Sequence, residues 1–384
     1  MLLGIDASNL RAGGSLTHLV ELLRAAVPAA HGFERIVVWA GAATLEAIEE
    51  RRWLRKSHDP LLDRALPYRL FWQRFRVPRL AALAGCDVLW VPGGSTASSF
   101  RPMVTMSRNM LPFEWREMRR NRFAWRTLKN LLLHFAQRSS FRRAEGLIFL
   151  SRYARDAVIG FAGDKTKVTI IPHGIESRFS CRPRAQQPIG EYTTDKPFRL
   201  LYVSIVDVHK HQWHVADAVA RLRTSGLPVA VDLVGPAHGP ALAKLNATLR
   251  RVDPTRQFVR YVGAVPHREL HRFYAAADLN IFASSCENMP NILLEAMAAG
   301  LPIACSRRGP MPEILGEAGI YFDPERPDEI ADAIRRLIES PDLRREKAEA
   351  AFERSADFSW ARCARETLAF LAEVVDVDHL RSKR

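Results

Sequence analysis

Short runs of valine, isoleucine and leucine alternate with stretches of helical periodicity along most of this chain, and this alternation constrains the fold more than any other feature. In the first half, the runs lie at residues 2–6, 36–40, 88–91, 103–106, 147–150 and 168–171. In the second half, they lie at residues 200–206, 229–234, 258–262, 279–282, 302–305 and 319–322. Strands that are apolar on both faces belong in parallel sheets covered by helices on both sides. We therefore predict an α/β fold of two doubly wound domains.

A proline-rich stretch without periodicity, residues 179–197, separates the two series of strands. Segments of this composition connect domains, and 384 residues suffice for two of them. We predict a first domain at residues 1–180, a linker at 181–197 and a second domain at 198–357. The last helical pattern, within residues 358–384, could pack on either domain, including back on the first.

Positive charge is concentrated in the first domain. The chain has a net charge of +14, and residues 1–180 hold +13 of it, with 28 basic and 15 acidic residues. Such a domain attracts an anionic membrane surface. Two of its segments, residues 68–80 and 115–143, combine arginine with tryptophan and phenylalanine, and we predict that they contact the membrane. The alternative is that they are helices with an apolar face in the core and a solvated basic face.

The cellular location also follows from the composition. Five widely spaced cysteines without a C-x-x-C pair indicate reduced thiols in the cytoplasm. No apolar run approaches the ~18 residues of a membrane span, and the N-terminus turns acidic at Asp6. We expect a cytoplasmic protein bound peripherally at the inner face of the cell membrane. No recognition motif for nucleic acid accompanies the positive charge, so nucleic acid is not an expected partner.

Residues 284–302 carry the clearest chemical signal. A strand runs into a loop with Glu287, and a helix then begins near Asn291, carries Glu295 and ends at Gly300. Free amides at such a helix start bind pyrophosphate, and a carboxylate one turn inside accepts hydrogen bonds from ribose hydroxyls. The expected donors are the amides of Met289, Asn291, Ile292 and Leu293. The alternative makes Glu295 a favourable charge near a helix start and Glu287 a solvated loop residue.

The pattern of Glu287, seven residues, Glu295 and then AMAAGLP resembles the signature of a known family. The resemblance continues downstream through RRGPMPEILGEAGIYFDP and upstream through FVRYVGAVPHRELHRFYAAADLNIFAS, about 120 residues in all. The family is that of the retaining, nucleotide-sugar-dependent glycosyltransferases of group 1, or family 4. It implies a GT-B fold, in which two Rossmann-like domains face a central cleft, the first binding the acceptor and the second the nucleotide sugar.

The resemblance also implies roles for individual residues of the second domain. Glu287 would hold the donor sugar and stabilise positive charge near its anomeric carbon, and Glu295 would hold the ribose. Lys210 would grip the diphosphate, whereas Ile205 stands where the family usually has a second cation, an arginine. His209 is a candidate to assist Lys210. The other donor-binding candidates are Asn288, Met289, Pro290, Asn291, Ile292 and Gly235.

In the first domain, Gly13 and Gly14 precede a helix, where a loop without side chains can approach a phosphate. After the fourth predicted strand the family usually has a histidine that contacts the sugar, and this chain has Ser107, Arg108 and Asn109 instead. Arg108 or Asn109 could supply the equivalent contact. Ser151 and His173 are further candidates by position.

Together these features predict a retaining hexosyltransferase that moves a GDP- or UDP-linked sugar, such as GDP-mannose or a GDP-deoxyhexose, to a glycan or lipid-linked acceptor in bacterial polysaccharide or lipopolysaccharide synthesis. No resident cofactor is expected. No metal is expected either, because the one D-x-D pattern, Asp376 to Asp378, does not follow a strand. The alternatives are a sugar-nucleotide epimerase or phosphorylase on the same fold, and a non-catalytic membrane-associated scaffold.

Overall fold

The computed structural model describes residues 1–120, 124–164 and 166–382. It divides into two compact units: unit 1 comprises Met1–Gly174 and Phe358–Arg384, and unit 2 comprises Ile175–Asp357. The helix expected near the C-terminus therefore belongs to unit 1. Each unit contains one parallel sheet, so the predicted α/β class with two doubly wound domains is confirmed.

The predicted linker at residues 181–197 is part of unit 2, which moves the first boundary to Gly174. The amide of Cys181 donates to the carbonyl of Ala298 (2.9 Å), and the guanidinium of Arg184 donates to the carboxylate of Asp278 (2.8 Å). These bonds fix the segment on the unit 2 surface although its composition is that of a loop. The proline content predicted a stretch without α-helix or strand, which is observed apart from a 3-10 turn at Ile189–Glu191, but it did not predict the residues of unit 2 that the stretch contacts.

Within the described residues of unit 1, seven parallel strands have the order β3-β2-β1-β4-β5-β6-β7. The strands are β1 (Leu2–Asp6), β2 (Arg35–Ala40), β3 (Leu54–His58), β4 (Val88–Val91), β5 (Met103–Met106), β6 (Gly146–Phe149) and β7 (Lys167–Ile170). The helices are α1 (Gly14–Ala25), α2 (Ala42–Ala47), α3 (Leu66–Phe75), α4 (Val77–Ala84), α5 (Trp115–Arg120), α6 (Ala124–Arg143), α7 (Arg152–Val158) and, at the C-terminus, α15 (Trp360–Ser382).

Strand β3 was not predicted from the sequence. Its residues, LRKSH, are mostly polar and only partly buried, because the strand lies at the edge of the sheet and pairs on one side with β2. An edge strand needs no continuous apolar run. The other strands of unit 1 lie within about one residue of their predicted positions.

Within the described residues of unit 2, six parallel strands have the order β10-β9-β8-β11-β12-β13. The strands are β8 (Phe198–Val203), β9 (Val229–Val234), β10 (Val259–Gly263), β11 (Leu279–Phe282), β12 (Ile303–Ser306) and β13 (Gly319–Phe322). The helices are α8 (Gln212–Thr224), α9 (Gly239–Val252), α10 (Leu270–Ala276), α11 (Asn291–Ala298), α12 (Met311–Leu315), α13 (Pro327–Glu339) and α14 (Pro341–Ser355). The strand order reverses between β8 and β11, and ligands of open parallel sheets bind beyond the carboxyl ends of the strands at such a point.

The two basic aromatic segments are helical in the structure. The first forms α3 and α4, and Trp72 of α3 packs in a core cluster with Trp39 of β2 and Leu89 of β4. The second forms α5 and α6, and its residues 121–123 lie outside the described part of the chain.

Candidate active site

Lys210 and Glu287 form a largely buried ion pair in unit 2. Lys210 ends a 3-10 turn that follows β8, and Glu287 lies in the loop that follows β11, the neighbouring strand at the reversal of strand order. The Lys210 ammonium contacts a carboxylate oxygen of Glu287, and their side chains are 8% and 14% exposed. The ammonium also lies 5.8 Å from the ring centroid of Phe282, the last residue of β11. A buried pair of opposite charges therefore occupies the point where an open parallel sheet binds its ligand.

Hydrogen bonds among β8, the turn after β8 and the loop after β11 hold this ion pair in place. The carbonyl of His209 accepts from the Ser285 amide (2.8 Å), and the Tyr202 hydroxyl donates to the carbonyl of Lys210 (2.8 Å). The Nε2 atom of His211 lies 2.9 Å from the Ser285 hydroxyl. His209, a predicted candidate, thus contributes its main chain to the link between the loops.

The backbone at His211 has a positive φ of 53°, a conformation that costs a residue other than glycine about 1 kcal/mol or more. His211 lies between the turn that ends in Lys210 and the first residue of α8. Its ring stacks on that of His214, with centroids 5.2 Å apart. Packing and the Ser285 contact therefore hold a strained residue next to Lys210.

The start of α11 presents two open amides. The amides of Leu293 and Leu294 both donate to the carbonyl of Pro290, so the predicted use of Leu293 as an open donor is wrong. The amides of Asn291 and Ile292 have no hydrogen-bond partner among the residues that the structure describes. Asn288, Met289 and Pro290, which lead into the helix, are buried. The partial positive charge of the helix start favours an anion at this position.

Glu295 lies on the second turn of α11 and is almost entirely buried. Its Oε1 atom accepts from Nε2 of His267 (2.8 Å), and its Oε2 atom accepts from the hydroxyl of Tyr274 (3.2 Å). Burial, and then the charge of Glu295, raises the pKa of Tyr274 well above its usual value, so this hydroxyl stays protonated. Its one proton lies between Oε2 of Glu295 and the carbonyl of Ile292, 3.1 Å from the hydroxyl oxygen. The sequence analysis missed His267 and Tyr274, although both lie in the upstream segment that resembles the family.

Gly235 follows β9, with φ of 146°. A Cβ atom there would lie 2.2 Å from the carbonyl oxygen of Ser204, which follows β8. Only glycine fits this position without moving the main chain. Ile205, the residue that stands in place of the expected arginine, uses its carbonyl to accept from the Gln212 side chain (2.9 Å).

In unit 1, Gly13 precedes α1 with φ of 66°, and nothing lies within 4 Å of the Cβ that another residue would place there. Backbone conformation, and not space, therefore calls for glycine at this position. The guanidinium of Arg108 donates to the carbonyl of Gly14 (2.9 Å). Burial lowers the pKa of this guanidinium to about 10, and it remains charged at neutral pH. Arg108 thus stabilises the glycine loop through a hydrogen bond within unit 1.

Behind this loop, His18 of α1 and His173 form a buried pair whose Nδ1 atoms are 2.7 Å apart. Burial, and then the charge of Arg108, holds the pKa of both imidazoles well below the usual value. In a neutral pair one Nδ1 donates and the other accepts. Both rings also contact the ring of Trp360, with centroids 5.6 and 5.9 Å away. His173 therefore has a neighbour, His18, that the sequence analysis did not select.

Two other candidates of unit 1 cap local structure. The Ser151 hydroxyl accepts from the amide of Ala154 (3.1 Å) at the start of α7. The Asn109 carbonyl oxygen accepts from the amide of Leu111 (3.1 Å). Both residues lie in loops that follow strands of the sheet, β6 and β5 respectively.

Neither a metal-binding cluster nor a membrane-spanning helix occurs among the described residues. No group of three histidine, cysteine, aspartate or glutamate side chains in the described part of the chain is arranged to hold a metal ion. None of the helices described here is both long and apolar enough to cross a membrane. Asp376 and Asp378 lie in α15.

The sequence matches two family profiles, one over each unit. Residues 197–340 match the family described as "Glycosyl transferases group 1", and residues 12–179 match that described as "Glycosyltransferase Family 4". The chain belongs to the GT-B glycosyltransferases of group 1, as the motif around Glu287 and Glu295 predicted.

Several relatives act on sugars according to their names. The chain is 32% identical over 111 residues to O-antigen chain mannosyltransferase B of Escherichia coli, which is 29% of each chain. It is 28% identical over 211 residues to a GDP-mannose-dependent alpha-(1-6)-phosphatidylinositol dimannoside mannosyltransferase of Mycobacterium tuberculosis, 54% of this chain and 52% of the relative. The first relatives are matched over less than a third of their own length, 29% to 31%.

Solved structures share the fold along almost the whole chain. Anabaena HepE in complex with UDP has a TM-score of 0.70 at 20% identity, covering 97% of this chain and 99% of HepE. Sucrose-phosphate synthase from Thermosynechococcus elongatus has a TM-score of 0.75 at 17% identity, covering 96% and 97%. At these identities the likeness establishes the fold.

Proposed function

We propose that this chain is a retaining hexosyltransferase that moves a sugar from a nucleoside diphosphate to a glycan or lipid-linked acceptor in bacterial polysaccharide or lipopolysaccharide synthesis. The observation that carries the proposal is the buried pair of Lys210 and Glu287 at the reversal of strand order in unit 2. The family membership and the names of the relatives support it.

The charges of the site match those that develop when a sugar leaves a diphosphate. As the bond between the anomeric carbon and the phosphate oxygen breaks, its electron pair goes to the phosphate, which Lys210 and the amides of Asn291 and Ile292 stabilise. The anomeric carbon becomes positive, and the carboxylate of Glu287 stabilises it. The acceptor oxygen bonds to that carbon on the face that the phosphate leaves, and its proton passes to the leaving phosphate oxygen. Retention of configuration follows from attack on that face.

The donor is proposed to be GDP- or UDP-linked. A relative from Mycobacterium tuberculosis is named as GDP-mannose-dependent, and the similar HepE structure contains UDP. An assay with labelled UDP-, GDP- and dTDP-sugars and a bacterial lipid and glycan extract identifies the donor by release of the nucleoside diphosphate. NMR of the purified product then gives the anomeric configuration.

Glu287→Gln is the control for this assay, because it removes the charge of the carboxylate and keeps its size. We expect transfer with retention by the wild type and a large loss of turnover in the variant. An inverted product would contradict the mechanism. A rearranged donor without transfer would favour an epimerase, and absence of both nucleotide binding and turnover would favour a scaffold.

Peripheral binding to an anionic membrane is the second part of the proposal. On α6, Leu128, Leu132 and Phe135 are exposed at helical spacing, and on α3, Phe71 and Phe75 are exposed with ring centroids 4.9 Å apart. Exposed apolar stripes at helical spacing are typical of helices that lie in a membrane interface. The alternative of a core-packed apolar face applies to Trp72 of α3 but not to these side chains.

Charge indicates the lipid type. Residues 1–174, which belong to unit 1, hold all of the +13 of residues 1–180, and α3 and α6 themselves carry arginines, including Arg74, Arg138 and Arg142. Each basic side chain near an anionic surface contributes about 1 kcal/mol of binding free energy. Anionic phospholipid is therefore the proposed partner, together with a lipid-linked acceptor held in it.

Co-sedimentation with vesicles tests membrane binding. The double variants Phe71→Ser/Phe75→Ser and Leu132→Ser/Phe135→Ser should each weaken binding to phosphatidylglycerol vesicles, and high salt should weaken binding of the wild type. Val27→Ser/Leu83→Ser is the matched control, because both side chains are exposed and lie outside the two stripes. Replacement of Arg119, Arg120, Arg122 and Arg126 by serine should also release the protein while leaving nucleotide affinity intact; of these, Arg122 lies outside the described residues. Equal binding by all variants would contradict the proposal.

A further inference from the structure

The carboxylate of Glu295 is held at both of its oxygen atoms by groups that lie outside α11. His267 contacts Oε1 from the 3-10 turn after β10, and Tyr274 contacts Oε2 from α10. A carboxylate has about four lone-pair directions, two on each oxygen. The Tyr274 hydroxyl shares its one proton between Oε2 and the carbonyl of Ile292 (3.1 Å), so these contacts use at most one direction on each oxygen and leave at least one on each for another donor pair.

His267 is itself fixed through its second nitrogen. The Nη2 atom of Arg178 lies 2.8 Å from Nδ1 of His267, and the ring packs against Phe179 with centroids 5.4 Å apart. An arginine can only donate, so in the neutral ring Nδ1 accepts and Nε2 carries the proton. The proton of Nε2 therefore points to Glu295. Glu176, which pairs with Arg178 at 2.7 Å, holds the arginine in this position.

We propose that His267 is a positioning residue for the donor nucleotide: it holds the carboxylate of Glu295 so that one lone pair on each oxygen remains for the two hydroxyls of a ribose. This inference rests on the proposed function, in which Glu295 binds the ribose. His267 is 39% exposed and Glu295 only 6%, so the imidazole forms part of the cover over the carboxylate. Without it, the carboxylate could rotate about its side-chain bonds and lose the orientation that a diol requires.

A pH dependence follows from the groups that face His267. These are Glu295 of α11 and, from the segment that ends at Phe179, Glu176 and Arg178. In the turn of His267 itself, Arg268 and Glu269 pair with each other (3.8 Å). The bond to Glu295 raises the pKa of His267, with Glu176 adding to the shift and burial and Arg178 opposing it. In the charged ring Nδ1 also carries a proton, so it faces Glu176 Oε1 (3.5 Å) and no longer accepts from Arg178. The charged bond to Glu295 is complete below the ordinary pKa of histidine and is lost as the pH rises through the raised pKa. The neutral ring still donates through Nε2, so the affinity falls without vanishing.

Calorimetric titration of the full chain with UDP and with GDP, at pH 6 and pH 8.5, tests the inference. His267→Ala should weaken the affinity for the bound nucleotide about tenfold, the cost of one hydrogen bond to a charged group. KM for the donor should rise by a similar factor, and kcat should change little. His267→Gln places an amide donor where Nε2 was, so it should restore most of the affinity. It should also reduce the fall in affinity between the two pH values, because the amide does not titrate.

His271→Ala is the matched control, because it removes a histidine four residues away that does not bond to Glu295 in the described part of the chain. It should bind nucleotide as the wild type does, and thermal unfolding of each variant verifies folding. Unchanged or tighter binding by His267→Ala overturns the inference, as does a loss that His267→Gln fails to restore. A wild-type protein that binds neither UDP nor GDP overturns the proposed function and this inference together, so the two failures are distinguishable.

Discussion

Replacing Lys210 by methionine should destabilise unit 2 strongly, because it leaves the carboxylate of Glu287 buried without its partner. Methionine retains the apolar part of the side chain, so the change removes little beyond the charge. The exposures of 8% and 14% place the pair well away from bulk water. Removal of one partner from a buried pair costs about 3–5 kcal/mol. Since Glu287 keeps some contact with solvent, we expect about 3 kcal/mol.

A double-mutant cycle isolates the pair. In Lys210→Met/Glu287→Gln neither charge remains, so most of the loss should be recovered, and the coupling between the two sites should be about 2 kcal/mol or more. The exposed pair of Arg307 and Glu329, with side chains 50% and 24% exposed, is the control in the same unit. Arg307→Met should cost less than about 1 kcal/mol.

Unit 2 contains a single tryptophan, Trp213, which makes the measurement specific. The full chain labelled with fluorotryptophan should give one fluorine resonance from unit 2, assigned with Trp213→Phe, and urea titration of that resonance gives the free energy of unfolding. A cost below 1 kcal/mol for Lys210→Met, with no coupling in the cycle, would refute the reasoning. It would mean that water screens the two charges and that the pair does not position Lys210.

Two further outcomes are expected from the proposed mechanism. Glu295→Ala should weaken binding of the free nucleoside diphosphate about tenfold or more, whereas Glu287→Ala should mainly lower turnover. Calorimetry measures the affinity and initial rates measure the turnover. Equal losses of affinity in the two variants would contradict this division of roles. Transfer should survive EDTA, because Lys210 and the open amides of α11 supply positive charge to the diphosphate; activity that is lost with chelator and restored by magnesium or manganese would show that a metal ion is needed.

The fold could be predicted from the sequence where burial dictates residue type. Strands buried on both faces must be apolar, so eleven of the twelve predicted runs need only small shifts in their bounds, and the run at residues 200–206 ends at Val203 instead. Burial exerts no such demand on β3 at the sheet edge, whose LRKSH sequence resembles a loop. The attachment of residues 181–197 to unit 2 could not be predicted for a similar reason. Hydrogen bonds to Ala298 and Asp278 hold the segment, and such bonds require no periodic pattern of apolar residues.

Some residues of the candidate site could be predicted from the sequence, and others could not. Lys210, Glu287 and Glu295 each follow a strand of the second series, and the doubly wound topology brings the ends of β8 and β11 together. The partners of Glu295 could not be predicted this way, because His267 is 28 residues away in the chain and its contact depends on one turn and one side-chain orientation. A histidine in a loop has no pattern that separates a positioning role from a solvated one.

The two departures from the family pattern differ in what their residues do here. The carbonyl of Ile205 accepts from the Gln212 side chain, so the main chain at this position stabilises the loop after β8. The side chain of Ile205 supplies no cation in place of the expected arginine. At Arg108 a cation is present, but its guanidinium is engaged by the carbonyl of Gly14. Within unit 1 this arginine therefore holds the glycine loop through the carbonyl of Gly14. To contact the sugar directly, Arg108 would have to release the carbonyl of Gly14 or donate from its remaining N–H groups. A guanidinium has five N–H donors, so Arg108 can keep its bond to Gly14 and still donate to a sugar hydroxyl.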